Sequence, residues 1–157
     1  MTRPSLKARA LRLRLELREE ALVVVREVTD VRRAAQDHRE AIERRFDDKA
    51  QRTRLVSRGD LGRTSLILRL GVREFEALYA APEAIPEVAV AVHARLTRAD
   101  GTPLDERTFQ VHRPADANRV SAIVDGIDKA NAEVLDGIIA WADAGLLRWW
   151  RAPGGQR

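Results

Sequence analysis

The chain of 157 residues contains no cysteine, and this absence excludes disulfide bonds, thiolate metal ligands and cysteine nucleophiles. Aromatic side chains make up only 4% of the residues, so a core has to be built from valine, leucine, isoleucine and alanine. No apolar run approaches the roughly 20 residues that a membrane-spanning helix needs. The first residues alternate leucine with charge, which is not the pattern of a secretion signal.

Charge is distributed unevenly along the chain. Residues 1–60 hold 16 basic and 11 acidic residues, whereas residues 61–157 hold 12 and 13. A basic segment of this kind can bind nucleic acid or anionic lipid. Its positive and negative side chains are interleaved, however, and such a mixture is typical of a solvated surface. An intracellular nucleic-acid-binding or adaptor protein therefore stays as the alternative function, with nucleic acid a disfavoured partner.

Four stretches of the chain alternate apolar and polar residues, which predicts β-strands. These stretches are residues 11–17, 66–79, 88–96 and 104–112. The apolar positions change parity near Gly71, so we expect a bulge between residues 71 and 75. Asp100 and Gly101 separate the last two stretches and predict a hairpin turn. The apolar run at residues 22–25 would either pair with the first strand or belong to a helix.

Two segments carry apolar residues at three- and four-residue spacing, which predicts helices. The first covers about residues 30–54 and has a thin apolar stripe. The second runs from about residue 117 to residue 142, and its apolar face is continuous. Residues 146–151 either extend this helix or dock on the core. Asp116 or Asn118 would cap its start, and Gly145 is a candidate end if the helix does not extend into residues 146–151.

These elements predict an α+β fold with a small, mainly antiparallel sheet packed against a long C-terminal helix and a further helix in the N-terminal half. Gly126 and Gly137 lie inside the long helix, where each costs about 1 kcal/mol against alanine. We therefore expect helix and sheet to approach closely at these positions. The predicted organisation is a basic segment over residues 1–62, a strand–strand–strand–helix core over residues 63–150 and a frayed tail over residues 151–157.

The sequence shows no catalytic motif, because it has neither a glycine-rich phosphate loop nor a nucleophile elbow. His93 and His112 flank the predicted hairpin, but no third metal ligand stands at a fixed spacing from them. The neighbouring carboxylates Asp105 and Glu106 would point to opposite faces of a strand. We expect no catalytic residue, no metal and no cofactor, and a binding or assembly module rather than an enzyme.

The C-terminal segment supplies the candidate interaction surface. Trp149 and Trp150 are flanked by Arg148 and Arg151. Tryptophan beside arginine is suited to a membrane interface or to the surface of a protein partner. The alternative is that the two tryptophans close the hydrophobic core.

Five short segments have an order and spacing that are informative together. They are VREFEALY at residues 72–79, ARL at 94–96, ERTF at 106–109, NRVSAIV at 118–124 and IAW at 139–141. In these segments the chain resembles the ABC-type transport auxiliary lipoprotein component family, the PqiC-like group. The resemblance covers about residues 64–143.

The resemblance implies a non-enzymatic auxiliary component of an ABC-type, MCE-associated intermembrane lipid transport system, with a mainly antiparallel sheet backed by helices. The implied partners are the substrate-binding protein and the permease of that system, with lipid and self-association as further interactions. The implied location is the periplasm. Family members begin with a secretion signal and a lipid-modified cysteine, so a genuine start at Met1 would instead predict a cytoplasmic protein.

Overall fold

The structure is a computed structural model that describes residues 11–17, 28–51, 53–55 and 65–151, with side chains described for residues 39–51, 66–145 and 148. The elements in order are β1 (Leu11–Leu17), α1 (Val28–Lys49), β2 (Thr53–Leu55), β3 (Ser65–Leu78), β4 (Glu87–Arg98), β5 (Pro103–Pro114) and α2 (Val120–Arg151). The predicted apolar run at residues 22–25 and the tail beyond residue 151 lie outside these ranges. The predicted α+β class is confirmed.

The described strands form one sheet with the order β2-β1-β3-β4-β5. Strand β1 pairs in parallel with β2 and β3, whereas β3, β4 and β5 pair antiparallel over longer stretches. The sheet is therefore mainly antiparallel, as predicted. Strand β1 of the basic N-terminal segment joins the same sheet as the three strands of the predicted core, and α1 connects β1 to β2.

The predicted bulge in β3 is present, because the register with β4 shifts between Val72 and Glu74. The shift inserts one residue, so the apolar positions change from even to odd numbers. Leu70 and Phe75 therefore pair with Ala94 and Val90, which are both even-numbered residues of β4. The bulge keeps Leu70, Val72 and Phe75 on one face of the sheet.

The predicted hairpin between β4 and β5 is also confirmed. Gly101 lies at a φ of 89°, a left-handed conformation that glycine adopts without steric cost. The Asp100 side chain accepts a hydrogen bond from the Thr102 amide at 2.9 Å. This hydrogen bond holds the pKa of Asp100 below its ordinary value. The turn thus fixes the register of the last two strands.

Helix α2 packs across β4 and β5, and its two inner glycines face the sheet as predicted. A Cβ atom at Gly126 would lie 3.4 Å from a methyl group of Val88. At Gly137 it would lie 3.1 Å from the Phe109 ring. The core between the layers comprises side chains from α2, β3 and β4, among them Leu68, Val90, Leu96, Val134 and Ile138.

The start of α2 differs from the prediction, because the helix begins at Val120 and neither expected residue caps it. Asn118 instead donates a hydrogen bond from Nδ2 to the Pro82 carbonyl oxygen at 3.2 Å. The Asp116 carboxylate lies 3.4 Å from Lys129 Nζ. Both side chains therefore hold the helix against its surroundings rather than closing its first turn.

The end of α2 follows the extended alternative, since the helix continues through Gly145 to Arg151. Gly145 is buried, and a Cβ atom there would contact Leu96 at 3.8 Å. Of the two predicted alternatives, Gly145 as the end of the helix is wrong and extension through residues 146–151 is observed, because this glycine packs against β4. Neither helix in the described ranges has a stretch long and apolar enough to cross a membrane.

Helix α1 lies beside the second half of α2 and completes the core with Ile42 and Phe46, each 1% exposed. Arg45 donates two hydrogen bonds to Asp136 of α2, from Nε to Oδ1 at 2.8 Å and from Nη2 to Oδ2 at 2.7 Å. These hydrogen bonds raise the pKa of Arg45 and lower the pKa of Asp136. The helix predicted in the N-terminal half is therefore confirmed, and it packs against α2.

The predicted end of this helix at residue 54 is wrong, because α1 stops at Lys49. The amide of Gln51 donates to the Asp143 side chain of α2 at 2.8 Å. Thr53–Leu55 then form β2, which pairs with β1. Tertiary pairing outweighs the helix-like charge spacing in this short segment.

Candidate interaction surfaces

The predicted C-terminal surface is partly engaged within the molecule. Arg148 donates from Nη2 to Asp105 Oδ2 at 2.9 Å. Trp141 donates from Nε1 to the same oxygen at 3.2 Å. The Asp105 carboxylate near the start of β5 thus accepts hydrogen bonds from two side chains of α2. Arg148 therefore makes an intramolecular contact although its side chain is exposed.

The backbone of α2 extends through the remaining members of the predicted surface. Their side chains lie outside those that the structure describes, and they are Trp149, Trp150 and Arg151. Their part in an interaction surface therefore stays a prediction.

Asp105 and Glu106 separate to the two faces of β5, as strand geometry predicts. Asp105 turns to α2, whereas Glu106 accepts a hydrogen bond from Arg95 Nε at 2.8 Å. Sequence reasoning treated the two residues as a possible catalytic pair and excluded it. It missed the bridging role of Asp105, because nothing in the spacing links this residue to Trp141.

The two histidines of the hairpin do not meet. In the pairing of β4 with β5, His93 lies opposite Thr108, whereas His112 lies opposite Ala89. His93 Nδ1 lies 3.2 Å from the Thr108 hydroxyl oxygen. Within the described ranges no three His, Asp or Glu side chains are placed to hold a metal ion.

His112 instead lies between carboxylates from two other strands. Its Nε2 is 3.4 Å from Glu74 Oε2, and its Nδ1 is 3.4 Å from Glu87 Oε1. The small side chains of Ala89 and Ala91 on β4 leave room for the ring to reach from β5 to β3. This face of the sheet is a polar layer that links three strands.

The exposed hydrophobic side chains lie at one end of the sheet, with Leu78 on the opposite face from Phe75 because Leu78 pairs with Glu87 and Phe75 with Val90. In the described part of the chain, every large hydrophobic residue that is exposed lies between residues 75 and 85 or in the first turns of α2, with exposed fractions from 43% to 78%. We call these residues the apical patch: Phe75, Leu78, Tyr79, Ile85, Val120 and Val124.

The fold explains why these residues gather at one end. Strand β3 ends and β4 begins there, and β5 also ends there because it runs antiparallel to β4. The Ala115 amide donates to the Pro86 carbonyl oxygen at 2.9 Å, and Asn118 donates to Pro82. These hydrogen bonds bring the start of α2 to the turn between β3 and β4.

The apical patch is the feature that sequence reasoning missed. Four of its members, Phe75, Tyr79, Val120 and Val124, lie at positions that the apolar periodicity assigns to faces of a strand and a helix, which are normally buried. Val120 and Val124 are one turn apart, but the buried stripe at the start of α2 contains Ala122, Gly126 and Ala130 instead. Single exposed hydrophobic residues are ordinary, whereas such a concentration is typical of an interaction site.

Comparison with known proteins gives the fold a wider context. No protein-family model matches the chain, and no curated protein matches it. Among solved structures, protein XCC0632 from Xanthomonas campestris, described as DUF330, is 17% identical with a TM-score of 0.70, over 93% of this chain and 90% of that one.

Two further solved structures are less similar. Protein CT253 from Chlamydia trachomatis is 10% identical with a TM-score of 0.57, over 88% of this chain and 98% of that one. A minor lipoprotein from Acinetobacter baumannii is 14% identical with a TM-score of 0.44, over 88% and 95% of the two chains. At these identities, the likeness to the Xanthomonas and Chlamydia proteins shows a shared fold.

Proposed function

We propose that this protein is a non-enzymatic auxiliary component of an ABC-type, MCE-associated intermembrane lipid transport system, acting in the periplasm as a binding or assembly partner. The observation that carries the proposal is the apical patch. Large hydrophobic side chains gathered at one exposed end are typical of a surface that contacts another protein. The proposal assigns this patch to contact with the substrate-binding protein or the permease.

The segments that resemble the auxiliary component family support this assignment. Residues 72–79 include Phe75, Leu78 and Tyr79, and residues 118–124 include the two valines of α2. All residues of the apical patch except Ile85 therefore lie in segments that carry the resemblance. Core packing explains a resemblance at buried positions, but it does not require apolar side chains at positions that are about half exposed.

The fold is a second support. The resemblance implies a mainly antiparallel sheet backed by helices, and the chain has this architecture. The DUF330 protein of Xanthomonas campestris shares the fold over nearly the full length of both chains. The transport role, the partners and the periplasmic location are the proposed part.

Co-purification tests the proposal. The chain is co-expressed with the MCE-domain protein and the permease encoded in the same genome, and one component is captured by an affinity tag. We expect the captured component to retain the wild-type chain. We expect it not to retain the double variant Val120→Ser, Val124→Ser. The matched control is Ala140→Ser, which changes an exposed position farther along α2. A folded wild-type chain that neither component retains would contradict the proposal.

A further inference from the structure

Strand β5 forms one edge of the sheet in the part of the chain that the structure describes, where its only neighbour is β4. At 12 residues it is long for a strand. The Ala115 amide donates to the Pro86 carbonyl oxygen, which makes these two residues a hydrogen-bonded pair of an antiparallel ladder. Because such pairs alternate along the ladder, the odd-numbered residues of β5 are the ones that bond to β4.

The even-numbered residues of β5 consequently direct their backbone N–H and C=O groups away from β4. The Glu106 amide has an acceptor on this side, since it donates to Asp105 Oδ1 at 2.9 Å. Within the described ranges, the backbone groups of Thr108, Gln110 and His112 have no such partner, and all three residues are exposed. A row of unpaired backbone groups on an exposed edge is a template for a strand of another chain.

The charges of β5 have an order that suits pairing with its own copy. Asp105 and Glu106 lie near its start, whereas His112 and Arg113 lie near its end. Two antiparallel copies bring the start of one strand to the end of the other. With Phe109 opposite its own copy, Asp105 lies opposite Arg113 of the second copy, and Glu106 lies opposite His112. Acidic residues thus meet basic ones at both ends of the pairing.

The charges favour this register over its neighbours. A two-fold axis perpendicular to the sheet keeps each side chain on its own face, so odd-numbered residues have to lie opposite odd-numbered ones. The register centred on Phe109 obeys this rule. Shifting the centre to Gln110 places Arg107 opposite Arg113, and shifting it to Arg107 places this arginine opposite itself. Shifting it to Thr108 leaves no opposite charges face to face.

The charged side chains of β5 also have contacts within their own chain. The carboxylates of Asp105 and Glu106 accept hydrogen bonds from α2 and β4, and the His112 ring lies beside carboxylates of β3 and β4. Arg113 forms no ion pair with any residue that the structure describes. Main-chain hydrogen bonds therefore supply the affinity between two such strands, and the charges choose their register.

We infer that two copies of this chain associate through β5, as antiparallel edge strands related by a two-fold axis at Phe109. Thr108 and Gln110 of the two copies exchange main-chain hydrogen bonds, and the Glu106 carbonyl oxygen accepts from the His112 amide of the second copy. The two sheets become continuous. This association is independent of the transport role proposed above, because it uses none of the residues of the apical patch.

Sedimentation velocity of the full chain tests the association. We expect the wild-type chain to sediment as a dimer at micromolar concentration. Gln110→Pro removes an outward N–H group at a position where an edge strand tolerates proline, so we expect a monomer. The matched control Gln110→Ala removes most of the same side chain but keeps the N–H group, and it should remain a dimer. Circular dichroism checks that both variants keep the secondary structure of the wild type.

Disulfide cross-linking tests the register, and it is clean because the chain has no cysteine of its own. Thr108→Cys and Gln110→Cys come opposite each other across the inferred interface, within the span of a disulfide. Under mild oxidation, a mixture of the two variants should therefore give a linked dimer. Each variant alone should give little, because its own cysteines lie diagonally across the pair and farther apart. This readout does not depend on the proline variant folding.

Several results would overturn the inference. They include a monomeric wild-type chain, an assembly of more than two chains, and a dimer that a folded Gln110→Pro variant leaves intact. A dimer that is lost in Val120→Ser, Val124→Ser while Gln110→Pro keeps it assigns self-association to the apical patch instead. Cross-linking of Thr108→Cys with itself, without the mixed product, refutes the register centred on Phe109.

Discussion

Alanine substitution at the glycines of α2 tests how closely this helix approaches the sheet. In a helix interior, alanine is more favourable than glycine by about 0.8–1 kcal/mol. The gain is realised only where the new methyl group has room. Gly145→Ala places the Cβ atom 3.8 Å from Leu96 Cδ2, an ordinary contact. We therefore expect the full gain, about 1 kcal/mol, which raises Tm by about 2–4 °C in a protein of this size.

Gly137→Ala meets a different environment. The Cβ atom would lie 3.1 Å from Phe109 Cδ1 and 3.5 Å from its Cε1. The Phe109 ring is held edge-on to Trp141 with 5.8 Å between centroids, and Arg107 lies 5.3 Å from its centroid. Because the ring has little freedom to move, overpacking costs about 1–3 kcal/mol. The helix propensity offsets part of this cost, so we expect a net loss of up to about 2 kcal/mol.

Gly126→Ala falls between these limits, since its Cβ atom would lie 3.4 and 3.5 Å from the two methyl groups of the fully buried Val88. Urea unfolding followed by circular dichroism gives the free energy of unfolding of all three variants. The expected order of stability is Gly145→Ala, then Gly126→Ala, then Gly137→Ala.

A second variant tests whether the Phe109 ring causes the loss of stability that is expected for Gly137→Ala. In the background of Phe109→Leu the crowded ring is absent, so Gly137→Ala should cost less, with a coupling energy above about 0.5 kcal/mol. The reasoning fails if Gly137→Ala stabilises the protein as much as Gly145→Ala does. That result would mean that α2 lies farther from β5 than the structure places it.

Three further substitutions test other contacts. Phe46→Ala should destabilise the protein by about 3–5 kcal/mol in urea unfolding, since the side chain is 1% exposed between α1 and the core. Asp105→Ala should cost about 1–3 kcal/mol, because the buried Trp141 indole loses its acceptor. Asp136→Asn should cost about 0.5 kcal/mol at neutral pH, since the pair with Arg45 is partly exposed. The pKa of Asp136 is lowered in the folded state. The difference in free energy of unfolding between Asp136→Asn and wild type should therefore persist above pH 3.8 and vanish as the pH falls through the folded-state pKa.

The strands and the long helix were predictable because their side-chain patterns repeat. The change of parity near Gly71 predicted the bulge, since only an inserted residue returns apolar side chains to one face. Gly126 and Gly137 predicted close contact, because a glycine inside a helix is costly without a packing reason. Both inferences follow from local rules that the tertiary structure does not override.

The ends of the helices were not predictable for a physical reason. Gly145 has the residue type of a helix stop, yet it lies against Leu96 and the helix continues. A glycine that ends a helix and a glycine that packs against a sheet look the same in sequence. Thr53–Leu55 have too few residues to show a strand pattern, and their pairing with β1 depends on distant residues.

The apical patch shows how far apolar periodicity can predict function. Periodicity indicates which side chains share a face, but the depth of burial depends on what covers that face. At the start of α2, Ala122 is buried whereas Val120 is 78% exposed. Which apolar residues are exposed is therefore seen only in the structure, and all of them except Ile85 lie within the segments that carry the family resemblance. Because packing does not require them, the proposed binding role rests on them, and the serine variants at Val120 and Val124 test binding separately from stability.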